Sequence, residues 1–160
     1  MTSKKQLNDK RIEVILWSIA FPGFGQLLNK QYFKGAILLF LEFLINIKSN
    51  LNLAIISSFR GEAASAITIV DPQWLMFYPC LYTYAIWDAY RDAAGERRRP
   101  FAYLPLVFAA YLGTIGVIYA ANFEFMGTLL GPIWLPIILL MIGVGLGLTF
   151  MFLLAGKSPV

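Results

Sequence analysis

The sequence predicts an all-α membrane protein: four spanning helices, preceded by an N-terminal re-entrant or interfacial helical hairpin broken at Pro22–Gly25. Three observations carry that prediction. Apolar residues make up 59% of the 160 and charged residues only 14%, with a mean hydropathy of +0.67. A soluble domain carries about a quarter charged residues, and a core this small cannot enclose so much apolar surface. The apolar residues also fall in blocks of bilayer-spanning length, with the cations between the blocks biased to one side.

Taken in order, the four blocks cover residues 35–59, 73–90, 101–122 and 129–155. Each reaches or approaches the roughly 20 mainly apolar residues that a crossing helix needs. They are apolar on all sides, which fits lipid as the solvent. Pro79, Pro105, Pro132 and Pro136 lie inside them, a tolerable position where neighbouring helices satisfy the freed carbonyls. Lys48-Ser49-Asn50-Leu51-Asn52 makes the outer half of the first block polar, so the segment after it is expected along the outer interface with Lys48 reaching for water. Residues 60–71 then form an outer loop.

A fifth apolar stretch, residues 12–28, is interrupted by Pro22-Gly23-Phe24-Gly25. Proline removes a donor and glycine permits positive φ, so no continuous helix is expected through this point. The interruption and Ser18 also make a poor cleaved signal peptide. The cations decide between crossing and re-entry. If the stretch crosses, one side holds Lys4, Lys5, Lys10, Arg11 and Arg60, and the other holds Lys30, Lys34, Arg91, Arg97, Arg98, Arg99 and Lys157. That division shows no bias. If the stretch re-enters, all of these except Arg60 share one side, and Lys48 lies near the outer end of a span. The second arrangement follows the positive-inside rule and puts both termini in the cytoplasm. Re-entrant backbone needs cover from protein, so the hairpin is expected to pack on the other helices.

At the bend, Gly23 and Gly25 allow a sharp turn, while Gln26 and Asn29 can satisfy freed backbone groups. Lys34 opens the first span beside Gly35, and Asp88 closes the second, so the two charges stand at similar depth. A Lys34–Asp88 or Lys30–Asp88 pair would pin the hairpin to the bundle; the other readings of Asp88 are a hydrated interfacial carboxylate or a ligand group. Glu42 lies seven residues beyond Gly35, about 10 Å into the span, and Asn46 shares its face at i+4. An ionisable group at that depth is a candidate for proton or cation handling, or for bonding the broken hairpin. In the last block, Gly143 and Gly147 form a small-xxx-small pair that lets another helix approach, within the chain or from a second copy.

Two clusters together carry a family resemblance. One is Pro22-Gly23-Phe24-Gly25-Gln26 with Asn29 and then Lys34-Gly35; the other is Trp87-Asp88-Ala89-Tyr90-Arg91-Asp92-Ala93. Over residues 12–93 the chain resembles small bacterial membrane proteins related to the two-transmembrane-helix domain family. It departs from that pattern in Leu27-Leu28-Asn29, where the family often has an aromatic residue followed by glycine, and in the long stretch from Lys48 to Pro72. The resemblance implies an architecture more than an activity. It sets a family-like unit of residues 1–100, ending in a basic cytoplasmic linker, ahead of a C-terminal helix pair in residues 101–160.

Chemistry is sparse. The chain has no histidine and one cysteine, Cys80, which removes the usual general base and any intramolecular disulfide. The net charge of +4 is scattered between apolar blocks, not laid out as a nucleic-acid face. No phosphate loop, nucleophile elbow or zinc signature is present, and neither a cofactor nor a metal is expected. The expected function is that of a non-catalytic multi-pass protein of the bacterial cytoplasmic membrane. It would act through helix contacts as an accessory or regulatory subunit, with lipids and either a membrane-protein partner or a second copy around it. The alternative is a small oligomeric transporter or channel whose path runs near Glu42 and the broken hairpin.

Overall fold

The computed structural model describes residues 2–95 and 99–156, with side chains from residue 8 onward. Most of the basic linker, residues 96–98, and Lys157 lie outside the described residues. The first helix, α1 (Thr2–Ala20), starts well before the apolar stretch and takes in the charged residues ahead of it. These are good helix formers. It ends where expected: Phe21-Pro22-Gly23 forms the turn, with Gly23 at φ +103°, and α2 (Phe24–Leu28) follows.

The first expected span is divided. It becomes α3 (Tyr32–Ser49) and α4 (Leu51–Phe59), bent by 64° at the junction. Asn50 makes the bend at φ +55°, a conformation asparagine tolerates better than most residues. The Ser49 carbonyl freed there accepts from the Asp71 N–H at 3.0 Å, and the Asn50 amide donates to the Ile69 carbonyl at 3.1 Å. The segment expected as a loop over residues 60–71 is partly helical, with α5 (Ala63–Ile69) inside it and α6 (Pro72–Leu75) following, the latter capped by the Asp71 side chain.

The remaining helices are α7 (Tyr78–Ala94), α8 (Leu104–Tyr119) and α9 (Gly131–Ala155). Three of the four prolines expected inside spans occupy first turns: Pro79, Pro105 and Pro132. A missing N–H costs nothing there, so only Pro136 is interior. The fold is all-α as expected, with one small antiparallel hairpin between α8 and α9, β1 (Glu124–Phe125) and β2 (Thr128–Leu129). Its turn residues Met126 and Gly127 have φ of 51° and 76°, the pattern of a two-residue primed turn.

Residue pairs fix the directions of the long helices. Lys34 meets Asp88 and Glu42 meets Tyr78, so α3 and α7 are antiparallel. Trp87 meets Tyr103 while Pro79 lies against Gly113, so α8 reverses again. Gly116 abuts Pro136 and Gly143 abuts Ala109, so α9 reverses once more. The helices α4 and α5 fold over the start of α9: Trp134 donates to the Ser58 carbonyl at 3.2 Å, and Gly131 lies beside Ala63. Leu51, Ala54, Ala66, Leu75, Val117 and Ile133 form the core at that end.

Among the described residues, α9 is the one single helix long and apolar enough to cross a membrane, and the bent pair α3–α4 passes together. The others fall short for physical reasons. With 16 residues, α8 spans about 24 Å at about 1.5 Å per residue, and α7 carries Asp88, Arg91 and Asp92.

Candidate functional site

The polar groups of the N-terminal segment read against α7 like marks on a ruler. The Arg11 guanidinium donates to the Ala94 carbonyl at 3.0 Å, at the end of α7. The Ile19 carbonyl accepts from the Tyr82 hydroxyl at 2.6 Å, twelve residues back along α7 and so about 18 Å away. The chain then turns at Pro22-Gly23. Gln26 donates from Nε2 to the Ala85 carbonyl at 2.9 Å, and Asn29 donates to the Ala89 carbonyl at 2.8 Å. Lys34 reaches Asp88 and Asp92. The helices α1 and α2 thus run along α7 and return to the end from which they started.

Close backbone approach makes the return possible. A Cβ at Gly25 would strike Ser18 Oγ and lie 2.7 Å from the Ala89 Cβ. On the other side of the turn, Gly23 and Gly35 abut: a Cβ on Gly23 would lie 2.8 Å from the Gly35 carbonyl, and one on Gly35 would lie 2.6 Å from Leu27. Pro22, Gln26 and Asp88 are all fully buried.

Asp88 is the hub. Its Oδ1 accepts from Lys34 Nζ at 3.1 Å and from the Arg91 guanidinium, while Oδ2 accepts from Gln26 Nε2 at 3.2 Å. Lys34 also donates to Asp92 at 3.2 Å, and Arg91 Nε lies 3.5 Å from Asp92. Two carboxylates and two cations therefore balance, and a carboxylate with no water contact keeps charged donors on it, as a buried charge requires. Lys34, not Lys30, is the partner; Lys30 is exposed with φ 62° and has no bond to Asp88. From the sequence, Arg91 and Asp92 are read within the Trp87–Ala93 cluster but missed as members of this ion-pair network, although their i+3 and i+4 spacing from Asp88 is the available signal.

Glu42 lies eight residues further along α3 and is 4% exposed. Its Oε1 accepts from the Tyr78 hydroxyl at 3.2 Å, and its Oε2 has no partner among the described residues. Asn46, expected beside it, instead donates to Asn52 Oδ1 at 3.1 Å across the α3–α4 bend. The structure therefore gathers Pro22, Gly23, Gly25, Gln26, Lys34, Gly35 and Asp88 into one cluster and leaves Glu42 and Asn46 outside it.

Gly143 and Gly147 are elsewhere again, turned onto α8. Cβ atoms there would lie 2.7 Å from Ala109 Cα and 2.6 Å from the Leu104 carbonyl. Their contact is within the chain. Among the described residues, no group of three His, Cys, Asp or Glu is placed to hold a metal ion. Comparison of the chain with protein-family models, with characterised proteins and with solved structures finds no match.

Proposed function

We propose that this chain is a multi-pass protein of the bacterial cytoplasmic membrane, crossing four times through α3–α4, α6–α7, α8 and α9. In this reading α1–α2 re-enters from the cytoplasmic side and both termini are cytoplasmic. The observation that supports it is the return of α1–α2 to one end of α7, the end where Arg11, Lys34 and Arg91 are found. Re-entry also places the remaining cations as the positive-inside rule requires. The resemblance to the two-transmembrane-helix domain family belongs to the same proposal.

Its role in this reading is non-catalytic, that of an accessory or regulatory subunit working through helix contacts with a membrane-protein partner or a second copy. Asp88, Lys34, Arg91 and Gln26 bond one another and the backbone of neighbouring helices, which suits a clamp better than a reacting centre. Two measurements test it. With Cys80→Ser as background, a cysteine at Gln31 is expected to resist labelling from outside intact cells and to label after permeabilisation; labelling from outside refutes the topology. Native mass analysis after gentle extraction is expected to show a second protein in fixed stoichiometry.

Glu42 supports the second reading, a small transporter or channel, because a buried carboxylate with one unpartnered oxygen is costly to keep without a use. Glu42→Gln separates the two. A transporter loses flux while still assembling; a scaffold shows a folding defect or no change.

A further inference from the structure

An apolar cleft of about 380 Å³ opens between α4, α7, α8 and α9, walled by Ile55, Tyr78, Tyr82, Leu140 and Met141 among others. Protein interiors hold few voids larger than a water molecule, and this one is in the size range of small-molecule sites, roughly 300–1,000 Å³. We propose that it holds one acyl chain of a membrane lipid as a fixed part of the structure, an inference that rests on the membrane reading above.

The wall chemistry selects a chain over a headgroup. Among the described residues, the hydroxyls on the wall are those of Tyr78 and Tyr82, and each donates its hydrogen bond elsewhere, to Glu42 and to the Ile19 carbonyl. What they present to the cleft is ring surface. Water is a poor occupant, since a buried water needs two to four polar partners. The position of the mouth points to the source. Ile137 and Met141 are 45% and 63% exposed where they edge the cleft, and Ile138 and Ile142 continue the same apolar surface along α9. Among the described residues that helix is the one single helix long and apolar enough to cross a bilayer, so in the membrane reading the cleft opens onto hydrocarbon. A chain lying there regains the dispersion contacts that an empty cleft forfeits.

The test begins with carbonate washing of membranes containing the full chain, which decides the membrane reading by itself; extraction by carbonate overturns both proposals. The retained protein is reconstituted in phosphatidylglycerol nanodiscs, released, and weighed by native mass spectrometry under rising collision energy. One phospholipid is expected to remain on the wild type after the loosely held lipids have left. Leu140→Trp and Ile55→Trp fill the cleft from α9 and from α4. Each is expected to cut the retained fraction about ten-fold, since an indole displaces several methylenes. Ile138→Trp, on α9 outside the cleft, is expected to keep it. A carbonate-resistant wild type with no retained lipid overturns the proposal, as does equal retention in a folded filling variant. Replacement of the lipid adduct by a second copy of the chain overturns it in favour of a dimer contact.

Discussion

The Tyr82 hydroxyl donates to the Ile19 carbonyl at 2.6 Å, and it does so where α1 has just run out of donors. The N–H that would return to the Ile19 carbonyl is that of Gly23, but the chain turns away there at φ +103°, and the last-turn carbonyls of α1 need partners from outside it. One phenol on α7 thus finishes a helix that the Pro22-Gly23 turn ended. Tyr82→Phe is expected to leave that carbonyl orphaned at a cost of about 1–3 kcal/mol, read as a lowered thermal midpoint in detergent. An unchanged midpoint would mean that solvent reaches Ile19 and replaces the phenol.

Asp88 carries the heaviest load in the cluster with Lys34, Arg91 and Gln26. Asp88→Asn keeps an acceptor for Gln26 but removes one of the two carboxylates that balance Lys34 and Arg91; both cations keep Asp92 and are 44% and 35% exposed. Because solvent screens those two cations, the loss is expected at about 1–3 kcal/mol, below the full cost of breaking a buried pair. Lys34→Met leaves Asp88 with Arg91 and Gln26 and is expected to cost less. Chemical unfolding of both variants checks the order, and a reversed order would show that Lys34 holds the hub alone.

Some of this was readable from sequence and some was not, for physical reasons. Pro22-Gly23 marks a break by local rules alone, and the cation count argues for re-entry without any structure. The bend at Asn50 is marked only by the polar run Lys48–Asn52, which predicts a change of direction after it; its position and angle depend on Ile69 and Asp71 arriving from later in the chain to satisfy the freed groups. The placement of Asn46 depends on that bend. The Glu124–Leu129 pair has two-residue strands, too short for alternation to show. Lys34 over Lys30 as the partner of Asp88 is set by the direction in which α3 leaves the turn.

Gly25 tests how tightly the hairpin is seated. Gly25→Ala drives a methyl into Ser18 Oγ and toward Ala89, and overpacking of this kind costs about 1–3 kcal/mol. Ser18 Oγ is committed to the Val14 carbonyl at 2.8 Å, so it has little freedom to move aside. Combining Gly25→Ala with Ser18→Ala removes the shortest of the three close contacts and leaves those to the Ala89 Cβ and the Val14 carbonyl. The double variant is expected to be more stable than the sum of its singles predicts, a coupling readable in a double-mutant cycle.

The glycines of α9 make a controlled comparison. Gly147→Ala would press on Pro105 and the Leu104 carbonyl of α8, whereas Gly145, two residues earlier, has open space where its Cβ would stand. Separation of α8 from α9 is expected in the first variant and not in the second. Thermal midpoints in detergent check this: a fall for Gly147→Ala, with Gly145→Ala unchanged or raised. A larger fall for Gly145→Ala would locate a second-copy contact on the outer side of α9.

Asn50 sets the bend between α3 and α4, and its φ of +55° is the property to test. A residue with an ordinary side chain pays about 1–2 kcal/mol to enter the left-handed region, while glycine enters it freely. Asn50→Ala also forfeits the bond to the Ile69 carbonyl, so its expected loss is about 2–3 kcal/mol, adding roughly 1 kcal/mol for the hydrogen bond. Asn50→Gly should lose only that bond. The decisive reading is the difference between the two variants under one denaturant series. Alanine well below glycine means that the left-handed turn is kept and strained. Equal stability means that the backbone has left it, and spin labels on α3 and α4 would then report a straightened pair.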